Sequence, residues 1–261
     1  MNEFSLLLLF VLLPAFLGFR MKALTIGGAF CAVITGLTIG ISFDFFGLIL
    51  LGTFFFSSSI LSQLNHSENE IVQKGHKRDW IQVFSNGGTA SILSVLNILF
   101  PNMHESWEVA FVASLAIANA DTWASELGSL SKKRPIHVRT LKRVSKGTSG
   151  AVSMFGTVMG IAGAMLIAVT CYIIQFVNVN EMMIITLIGV IGLFLDTWMG
   201  ATIQTVYRCV ACGLETERSF HCKGKTVHIK GIPFVNNDVV NFASISIPSV
   251  SYIFINFFLV G

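Results

Sequence analysis

Charged side chains are scarce in this sequence: Lys, Arg, Asp and Glu make up 12% of its 261 residues, whereas 53% are hydrophobic. Soluble domains are typically about 25% charged, so this composition excludes an ordinary water-soluble globule. The net charge of +3 reflects where the basic residues lie along the chain and requires no nucleic-acid partner. The composition predicts an integral membrane protein.

The sequence also lacks the motifs of several enzyme classes. It contains neither Gly-x-Ser-x-Gly nor His-Glu-x-x-His, so a hydrolase or a metalloprotease has no support. The segment "GKT" at 224–226 is not a nucleotide-binding P-loop, because Ser219 stands where that motif needs its first glycine.

Apolar stretches of the length that crosses a bilayer, about 17–25 residues, recur throughout the sequence. They predict an all-α, polytopic bundle with about eight membrane spans in a single domain, residues 1–261; because the first span is short and contains Pro14, seven spans plus an interfacial helix are the alternative. The spans are placed near residues 4–19, 23–41, 45–62, 80–100, 107–127, 149–177, 183–206 and 238–260.

Basic residues are absent from every second connection between these spans. All 17 Lys and Arg residues lie on odd-numbered connections, which alternating spans place on one side. Cytoplasmic loops collect Lys and Arg, so this side is predicted to be cytoplasmic and both termini external. Its long loops are near residues 63–79, 128–148 and 207–236. A multi-pass cell-membrane protein with a polar site facing the cytoplasm is expected.

Carboxylates occur inside two of the predicted spans. Asp121 and Asp196 lie near the cytoplasmic ends of spans five and seven, and Glu126 follows Asp121. A carboxylate in a span costs at least about 2.5–3.5 kcal/mol, so such residues usually face the bundle interior and serve a site. The alternative is pairing with Lys or Arg to fix helix packing. Both aspartates begin the sequence Asp-Thr-Trp, which suggests an internal repeat.

A basic loop, "KKRPIHVRTLKRVSKGTSG" (132–150), follows the first of these carboxylates. Thr148 or Ser149 is expected to cap the next helix, whose free N–H groups suit a phosphate. Beside acidic side chains, such a loop suits a magnesium-bound polyphosphate. Together with polar residues at other cytoplasmic helix ends, the candidate substrate- and nucleotide-binding residues are Gln82, Asn86, Asn119, Lys132, Arg139, Lys142, Arg143, Lys146, Gly147, Thr148, Gln204, Asn237, Asp238 and Asn241.

The last cytoplasmic loop contains a second candidate metal site, formed by Cys209, Cys212, His221 and Cys222. A Cys-x-x-Cys pair followed by His and Cys can supply three thiolates and one imidazole to a tetrahedral zinc ion. Unligated cysteines and a redox pair are the alternatives.

Several motifs, taken together, resemble those of the membrane family that holds plant phytyl-phosphate kinase and animal transmembrane protein 19. They are "QVFSNGG", "ANADTWASELGSLSKKRP", "VSKGTSG", "FLDTWMGATIQTVY", the Cys-x-x-Cys pair and "NNDVVNFAS", and they extend over nearly the whole chain. The resemblance implies phosphoryl transfer from a nucleoside triphosphate to an isoprenyl monophosphate. The region from Asp121 to Gly150 also looks like that of CTP-using lipid enzymes such as dolichol kinase.

The predicted function is therefore a Mg²⁺-dependent membrane kinase that uses a CTP-like nucleotide and an isoprenyl monophosphate. Asp121 and Asp196 are expected to bind Mg²⁺, and Glu126 to join them if its helix unwinds toward Gly128. Two alternatives remain: a solute or ion transporter that uses the same carboxylates, and a zinc-dependent assembly scaffold. Polar residues concentrated at one membrane face argue against the transporter, and the scaffold leaves the aspartates unexplained.

Overall fold

The computed structural model describes residues 2–64 and 77–260, and helices dominate this part of the chain. The helices are α1 (Glu3–Arg20), α2 (Ile26–Leu64), α3 (Trp80–Leu99), α4 (His104–Gly128), α5 (Met154–Ile173), α6 (Val179–Thr202) and α7 (Asn237–Val260). The all-α expectation is confirmed, with small β-sheets added in two loops. The strands are β1 (Ile136–His137), β2 (Ala151–Val152), β3 (Val206–Arg208), β4 (Glu215–Thr216), β5 (Phe220–His221), β6 (Gly224–Lys225) and β7 (Val227–Lys230).

Helix α2 consists of two segments that fold back on each other. Its helical geometry fails at Phe43 and Asp44, where Asp44 has a φ of 50° and a ψ of −146°, a combination that glycine adopts readily and other residues rarely adopt. Leu7 of α1 lies against Gly40 before the break and packs with Leu48 after it. The break falls where the sequence predicted a short connection between spans two and three.

By length and hydropathy, five helices of the described residues can each cross a membrane: α1, α2, α5, α6 and α7. Helices α3 and α4 meet at a bend of 116°. They are long and apolar enough to cross a membrane only when the pair is counted as one span. Helix α4 is less apolar because it lies in the centre of the bundle, where every residue from Val109 to Ala120 is buried by protein. The chain is thus a multi-pass membrane protein, and eight crossings with external termini remain a prediction.

The two ends of the bundle differ in charge. Every Lys and Arg of the described residues lies at the end where α1, α4 and α6 finish; Lys74 lies outside the described residues. The opposite end carries acidic residues: Glu3, Asp44, Glu105, Glu108 and Glu181. This asymmetry is the basis of the predicted cytoplasmic side, since basic loops remain in the cytoplasm.

Small residues let α5 and α6 approach α4 closely. A Cβ atom at Gly192 of α6 would lie 2.4 Å from Ile117 of α4, and one at Gly156 of α5 would lie 2.9 Å from the carbonyl oxygen of Ala124. Glycine permits such backbone contact between helices in lipid. Because α4 and α6 run in the same direction, this packing brings their polar ends together.

Candidate active site

A polar cavity of about 850 Å³ opens at the basic end of the bundle, among the ends of α3 to α7. Its volume lies within the range of about 300–1,000 Å³ that is usual for ligand pockets. The structure brings twelve of the candidate catalytic and substrate- or nucleotide-binding residues to its wall: Gln82, Asn86, Asp121, Glu126, Lys146, Gly147, Thr148, Asp196, Gln204, Asn237, Asp238 and Asn241.

The two aspartates face this cavity in different environments. The Ser244 hydroxyl donates a hydrogen bond of 3.0 Å to Asp196 Oδ2, and the Asn241 amide, in its better-satisfied orientation, donates to the same oxygen at 3.2 Å. Within residues 2–64 and 77–260, no side chain donates a hydrogen bond to Asp121. The two carboxylates are close enough for their charges to repel each other. Such a pair of hard oxygen ligands suits Mg²⁺.

The two Asp-Thr-Trp segments share part of their local geometry. Thr122 donates to the Ala118 carbonyl oxygen at 2.9 Å, and Thr197 donates to the Leu193 carbonyl oxygen at 3.1 Å. The tryptophans differ, because Trp198 is 57% exposed whereas its counterpart in α4 is half-buried. The similarity extends to the helix around each aspartate and ends at the tryptophan.

Glu126 lies in the cavity wall, but its helix does not unwind. Helix α4 continues to Gly128, and the Glu126 carboxylate accepts a hydrogen bond from the Ser62 hydroxyl. Its charge also acts on Arg78: burial lowers the pKa of that guanidinium, and the nearby Glu126 carboxylate raises it. The condition for Glu126 to join the aspartates, unwinding toward Gly128, is not met, because α4 remains helical to Gly128 beside close-packed α5.

Arg78 is a cavity residue that sequence reasoning missed. Its backbone N–H donates to the Ala23 carbonyl oxygen at 2.9 Å, and its carbonyl oxygen accepts from the Thr25 N–H at 3.0 Å. These bonds hold the start of α3 against the α1–α2 turn and place the guanidinium carbon 5.9 Å from the centre of the Phe54 ring. In the sequence, Arg78 looked like one more basic residue of a cytoplasmic loop.

The basic loop divides into residues that reach the cavity and residues that do not. Lys146, Gly147 and Thr148 line it. The rest of the loop forms a turn closed by the hydrogen bond from the His137 N–H to the Lys142 carbonyl oxygen, 3.0 Å. The other basic candidates are exposed and outside the cavity wall: Lys132, Arg139, Lys142 and Arg143.

The predicted cap of α5 was wrong. Helix α5 begins at Met154, and Ser153 is the capping residue, accepting a hydrogen bond from the Gly156 N–H at 3.0 Å. Pairing of β2 with β1 holds residues 151–152 extended and delays the helix. Thr148 instead donates to the Ser145 carbonyl oxygen at 2.8 Å, and Ser149 bonds elsewhere.

Gln204, buried beneath the cavity, connects the two polar loops. Its Oε1 accepts from the Ser149 hydroxyl at 2.8 Å, and its Nε2 donates to Glu217 Oε1 at 2.7 Å. Glu217 and Arg218 of the α6–α7 loop also line the cavity and were not predicted, and His221, predicted only as a zinc ligand, lines it too. Because these contacts join segments far apart in sequence, no local pattern signals them.

Two candidate binding residues with amide side chains, Asn119 and Gln82, make hydrogen bonds that stabilise the fold. Asn119 is buried outside the cavity wall, where Nδ2 donates to the Gly163 carbonyl oxygen at 2.8 Å and Oδ1 accepts from Ser57 and Ser58. It therefore joins α2, α4 and α5. Gln82 lines the cavity, and its side chain also accepts from the Asp79 N–H in the capping box that begins α3.

The four candidate zinc ligands, Cys209, Cys212, His221 and Cys222, lie together and are called the Cys/His cluster below. One potential ligand atom from each residue lies within 4.8 Å of all the others. Hydrogen bonds from the Cys212 backbone N–H and from the His221 side chain lower the pKa of the Cys209 thiol to about 6.

An apolar groove adjoins the cavity between α1, α2 and α3. Its volume is about 80 Å³, and aromatic and aliphatic residues of these helices make up most of its wall. Arg78, Gln82 and Asn86 line both the groove and the cavity. Polar and apolar binding spaces therefore meet at Arg78, a half-buried cation.

Comparison with known proteins gives the family of the chain. Residues 9–249 match the family described as Integral membrane protein DUF92. Protein PGR of Arabidopsis thaliana is 30% identical over 266 residues, covering 91% of this chain and 90% of that protein. An uncharacterized membrane protein of Methanocaldococcus jannaschii is 31% identical over 159 residues, covering 60% and 65% of the two chains.

Protein VTE6, chloroplastic, also from Arabidopsis thaliana, is 24% identical over 221 residues, which cover 82% of this chain and 59% of that protein. No solved structure matches. Because the family match spans most of the sequence, the chain belongs to the Integral membrane protein DUF92 family, which confirms the membrane family indicated by its motifs.

Proposed function

We propose that this chain is a Mg²⁺-dependent membrane kinase that transfers a phosphoryl group from a CTP-like nucleoside triphosphate to an isoprenyl monophosphate. The observation that carries the proposal is the Asp121 carboxylate, which faces a polar cavity beside Asp196 without a described hydrogen-bond donor. The activity implied by the family resemblance supports it. The cavity is proposed to face the cytoplasm, where nucleoside triphosphates are available.

Asp121 and Asp196 are the residues proposed to hold Mg²⁺. Two carboxylates that line one cavity inside the bundle can share a cation, and Mg²⁺ prefers such oxygen ligands. Bound there, Mg²⁺ would neutralise charge on the nucleotide phosphates. Ser244 and Asn241 fix the Asp196 carboxylate through hydrogen bonds, so one ligand is oriented before the ion arrives.

The basic residues of the cavity are assigned to the phosphates. Lys146 and Arg218 would contact the nucleotide, whereas Arg78, oriented by Glu126, would hold the acceptor phosphate at the junction with the groove. The exposed residues of the basic loop would attract the anionic nucleotide over a longer range, an effect that salt screens; they are Lys132, Arg139, Lys142 and Arg143.

The proposed reaction needs positioning more than proton transfer. An oxygen of the acceptor phosphate forms a bond to the γ-phosphorus of the nucleotide, and the bond from that phosphorus to the β–γ bridging oxygen breaks. The products are a nucleoside diphosphate and an isoprenyl diphosphate. Since the acceptor is already an anion, no strong general base is required.

The apolar groove supports an acceptor with a hydrocarbon tail. Burying apolar surface stabilises binding by about 25 cal/mol per Å², and the groove ends at Arg78, where an anionic head group would sit. An acceptor bound in this way has its tail between α1, α2 and α3 and its phosphate in the cavity. A small polar solute, the expected substrate of a transporter, would gain no binding free energy from this apolar groove.

The direct test supplies the purified full chain with γ-labelled nucleoside triphosphates and prenyl monophosphates of several lengths. We expect labelled prenyl diphosphate to form only when Mg²⁺ is present. If no combination yields label in a diphosphate while the protein moves a solute across liposome membranes, the transporter is the correct function.

Filling the groove at Gly52 should change the choice of acceptor. A Cβ atom at Gly52 meets nothing within 4 Å, so Gly52→Ala is expected to leave activity unchanged. Gly52→Phe adds a phenyl ring at the groove wall, where its Cβ atom meets nothing within 4 Å, and should raise KM for long prenyl phosphates at least about tenfold, the cost of losing roughly 55 Å² of apolar contact. KM for the nucleotide should not change.

A five-carbon prenyl phosphate is the control acceptor, because its short tail has less apolar contact to lose than a longer tail. Steady-state kinetics of both variants with short and long acceptors measure the effect. Equal KM values for long acceptors in Gly52→Phe and Gly52→Ala would place the tail elsewhere.

A further inference from the structure

The Cys/His cluster has the geometry of a tetrahedral metal site. His221 Nδ1 lies 3.5 Å from the Cys212 sulfur and 3.3 Å from the Cys222 sulfur. Ligand atoms bound to one zinc ion, about 2.3 Å for sulfur and about 2.0–2.1 Å for nitrogen, lie roughly 3.5–3.8 Å apart. The cluster is therefore close to the size that one zinc ion requires.

Two β-hairpin turns present these ligands. In the first, between β3 and β4, the Cys209 N–H donates to the Leu214 carbonyl oxygen at 2.9 Å, and Gly213 supplies a φ of 73°. In the second, between β5 and β6, Cys222 and Lys223 both have positive φ, 49° and 61°. Positive φ at both central residues defines a tight two-residue hairpin turn, which normally favours Asn and Gly.

A cysteine in the left-handed region is uncommon, because its Cβ crowds the backbone. Strained backbone of this kind persists where the surrounding structure imposes it, and it often marks a functional site. At Cys222 it directs the sulfur toward His221 Nδ1 rather than away from the hairpin. The turn thus has a cysteine, a potential metal ligand, at a position where Asn or Gly is normally favoured.

The chemical composition of the cluster favours zinc among the common metals. Three sulfur ligands and one imidazole, arranged as a tetrahedron, are typical of closed structural zinc sites. Magnesium and calcium prefer oxygen ligands and are excluded by this composition. All four potential ligands come from the protein, which leaves no position for a reacting water.

The cluster lies beside the cavity. Glu217 and Arg218, which line it, lie between the two hairpins. Thr226, just after β6, donates to the Arg218 carbonyl oxygen at 2.8 Å, and Glu217 accepts from Gln204. A metal that joins the two hairpins therefore also fixes the segment between them.

We propose that the Cys/His cluster binds one structural zinc ion and that this ion holds Glu217 and Arg218 at the cavity wall. The ion takes no part in catalysis and is separate from the magnesium proposed at Asp121 and Asp196. Because zinc content is measured without substrates, this proposal can fail or succeed independently of the kinase.

Metal analysis of the full chain, purified in detergent without a histidine tag, tests the site. We expect about one zinc per chain, and at least a fivefold lower content in Cys212→Ser and in Cys222→Ser. Cys31→Ala, which removes a cysteine of α2 outside the cluster, should keep full zinc content. A zinc-free wild-type protein, or equal zinc in all variants, would overturn the proposal.

The wild-type protein offers a second measurement that does not depend on the folding of variants. Zinc X-ray absorption should show three sulfur ligands near 2.3 Å and one nitrogen near 2.0–2.1 Å. A thiol-binding mercurial, which can reach the exposed Cys212 and Cys222, should release the zinc. Release should raise hydrogen exchange at residues 215–219 at least tenfold and leave α4 unchanged. Unchanged exchange at 215–219, or a disulfide in place of metal, would contradict the assignment.

Discussion

Replacement of Asp121 or Asp196 with Asn is expected to lower kcat by about 100- to 1,000-fold, the loss that corresponds to several kcal/mol of metal-derived stabilisation. Asparagine keeps the size of aspartate and one acceptor oxygen, and it replaces the other oxygen with an uncharged NH2 group. The Asp121 carboxylate has no described donor to lose, so folding should survive there. Kinase assays and thermal unfolding in detergent measure the two effects separately.

The double variant distinguishes a shared ion from two independent roles. If both carboxylates hold one Mg²⁺, either replacement already removes the site, and Asp121→Asn/Asp196→Asn should be no slower than the worse single variant. If the two losses of kcat instead multiply in the double variant, the two carboxylates have separate roles. Glu105→Gln, an exposed carboxylate at the opposite end of α4, is the matched control and should retain full activity.

If the only role of the aspartates were helix packing, the effects on stability and on activity would be reversed. Stability would then fall in the single variants, and the remaining folded protein would keep its activity. Full kinase activity in both Asn variants would refute the magnesium site. It would leave Asp121 and Asp196 as candidates for solute binding in a transporter.

The sequence predicted the helices well because burial in lipid requires long apolar runs, and it predicted the meeting of Asp121 and Asp196 because helices of like direction end on one face. Hydropathy alone was less informative for α4, which is shielded by its neighbours and carries Ala, Ser and Asn in place of larger apolar residues. The number of crossings therefore depends on tertiary packing as much as on composition.

The errors at the site have physical causes. Asn119 lies two residues before Asp121, about 200° around the helix, so helical periodicity already separated it from the cavity. Arg78 was missed because its position in the cavity wall depends on contacts with residues 23–25, more than fifty positions earlier. The exposed positions of Lys132, Arg139, Lys142 and Arg143 depend on the fold of the basic loop, which apolar periodicity does not encode.

Replacement of Gly150 with Ala should detach the basic loop from α6. Gly150 has a φ of 74°, and a Cβ atom there would lie 2.3 Å from the Cα atom of Ala201. Real Cβ atoms do not approach a backbone so closely, so the loop must move. Movement would break the hydrogen bond between Ser149 and Gln204 and shift Lys146, Gly147 and Thr148 in the cavity wall.

Gly213→Ala is the matched control for this substitution once its zinc content is shown to equal that of the wild-type protein, because Gly213 lies in the hairpin that presents Cys209 and Cys212. Gly213 has nearly the same φ, 73°, but a Cβ atom there meets nothing within 4 Å. Both variants therefore carry the left-handed penalty of about 1–2 kcal/mol, and only Gly150→Ala adds the clash. The difference between the variants isolates the contact with α6 from the conformational cost of alanine.

We expect the midpoint of thermal unfolding to fall by about 2–8 °C in Gly213→Ala and by a clearly larger amount in Gly150→Ala. The nucleotide KM should rise at least about tenfold in Gly150→Ala alone, because the displaced loop would carry Lys146 away from the phosphates. Unfolding in detergent and kinetics at several nucleotide concentrations measure both quantities. Equal unfolding midpoints and equal KM values in the two variants would show that the loop does not depend on its contact with Ala201, and that the nucleotide lies elsewhere.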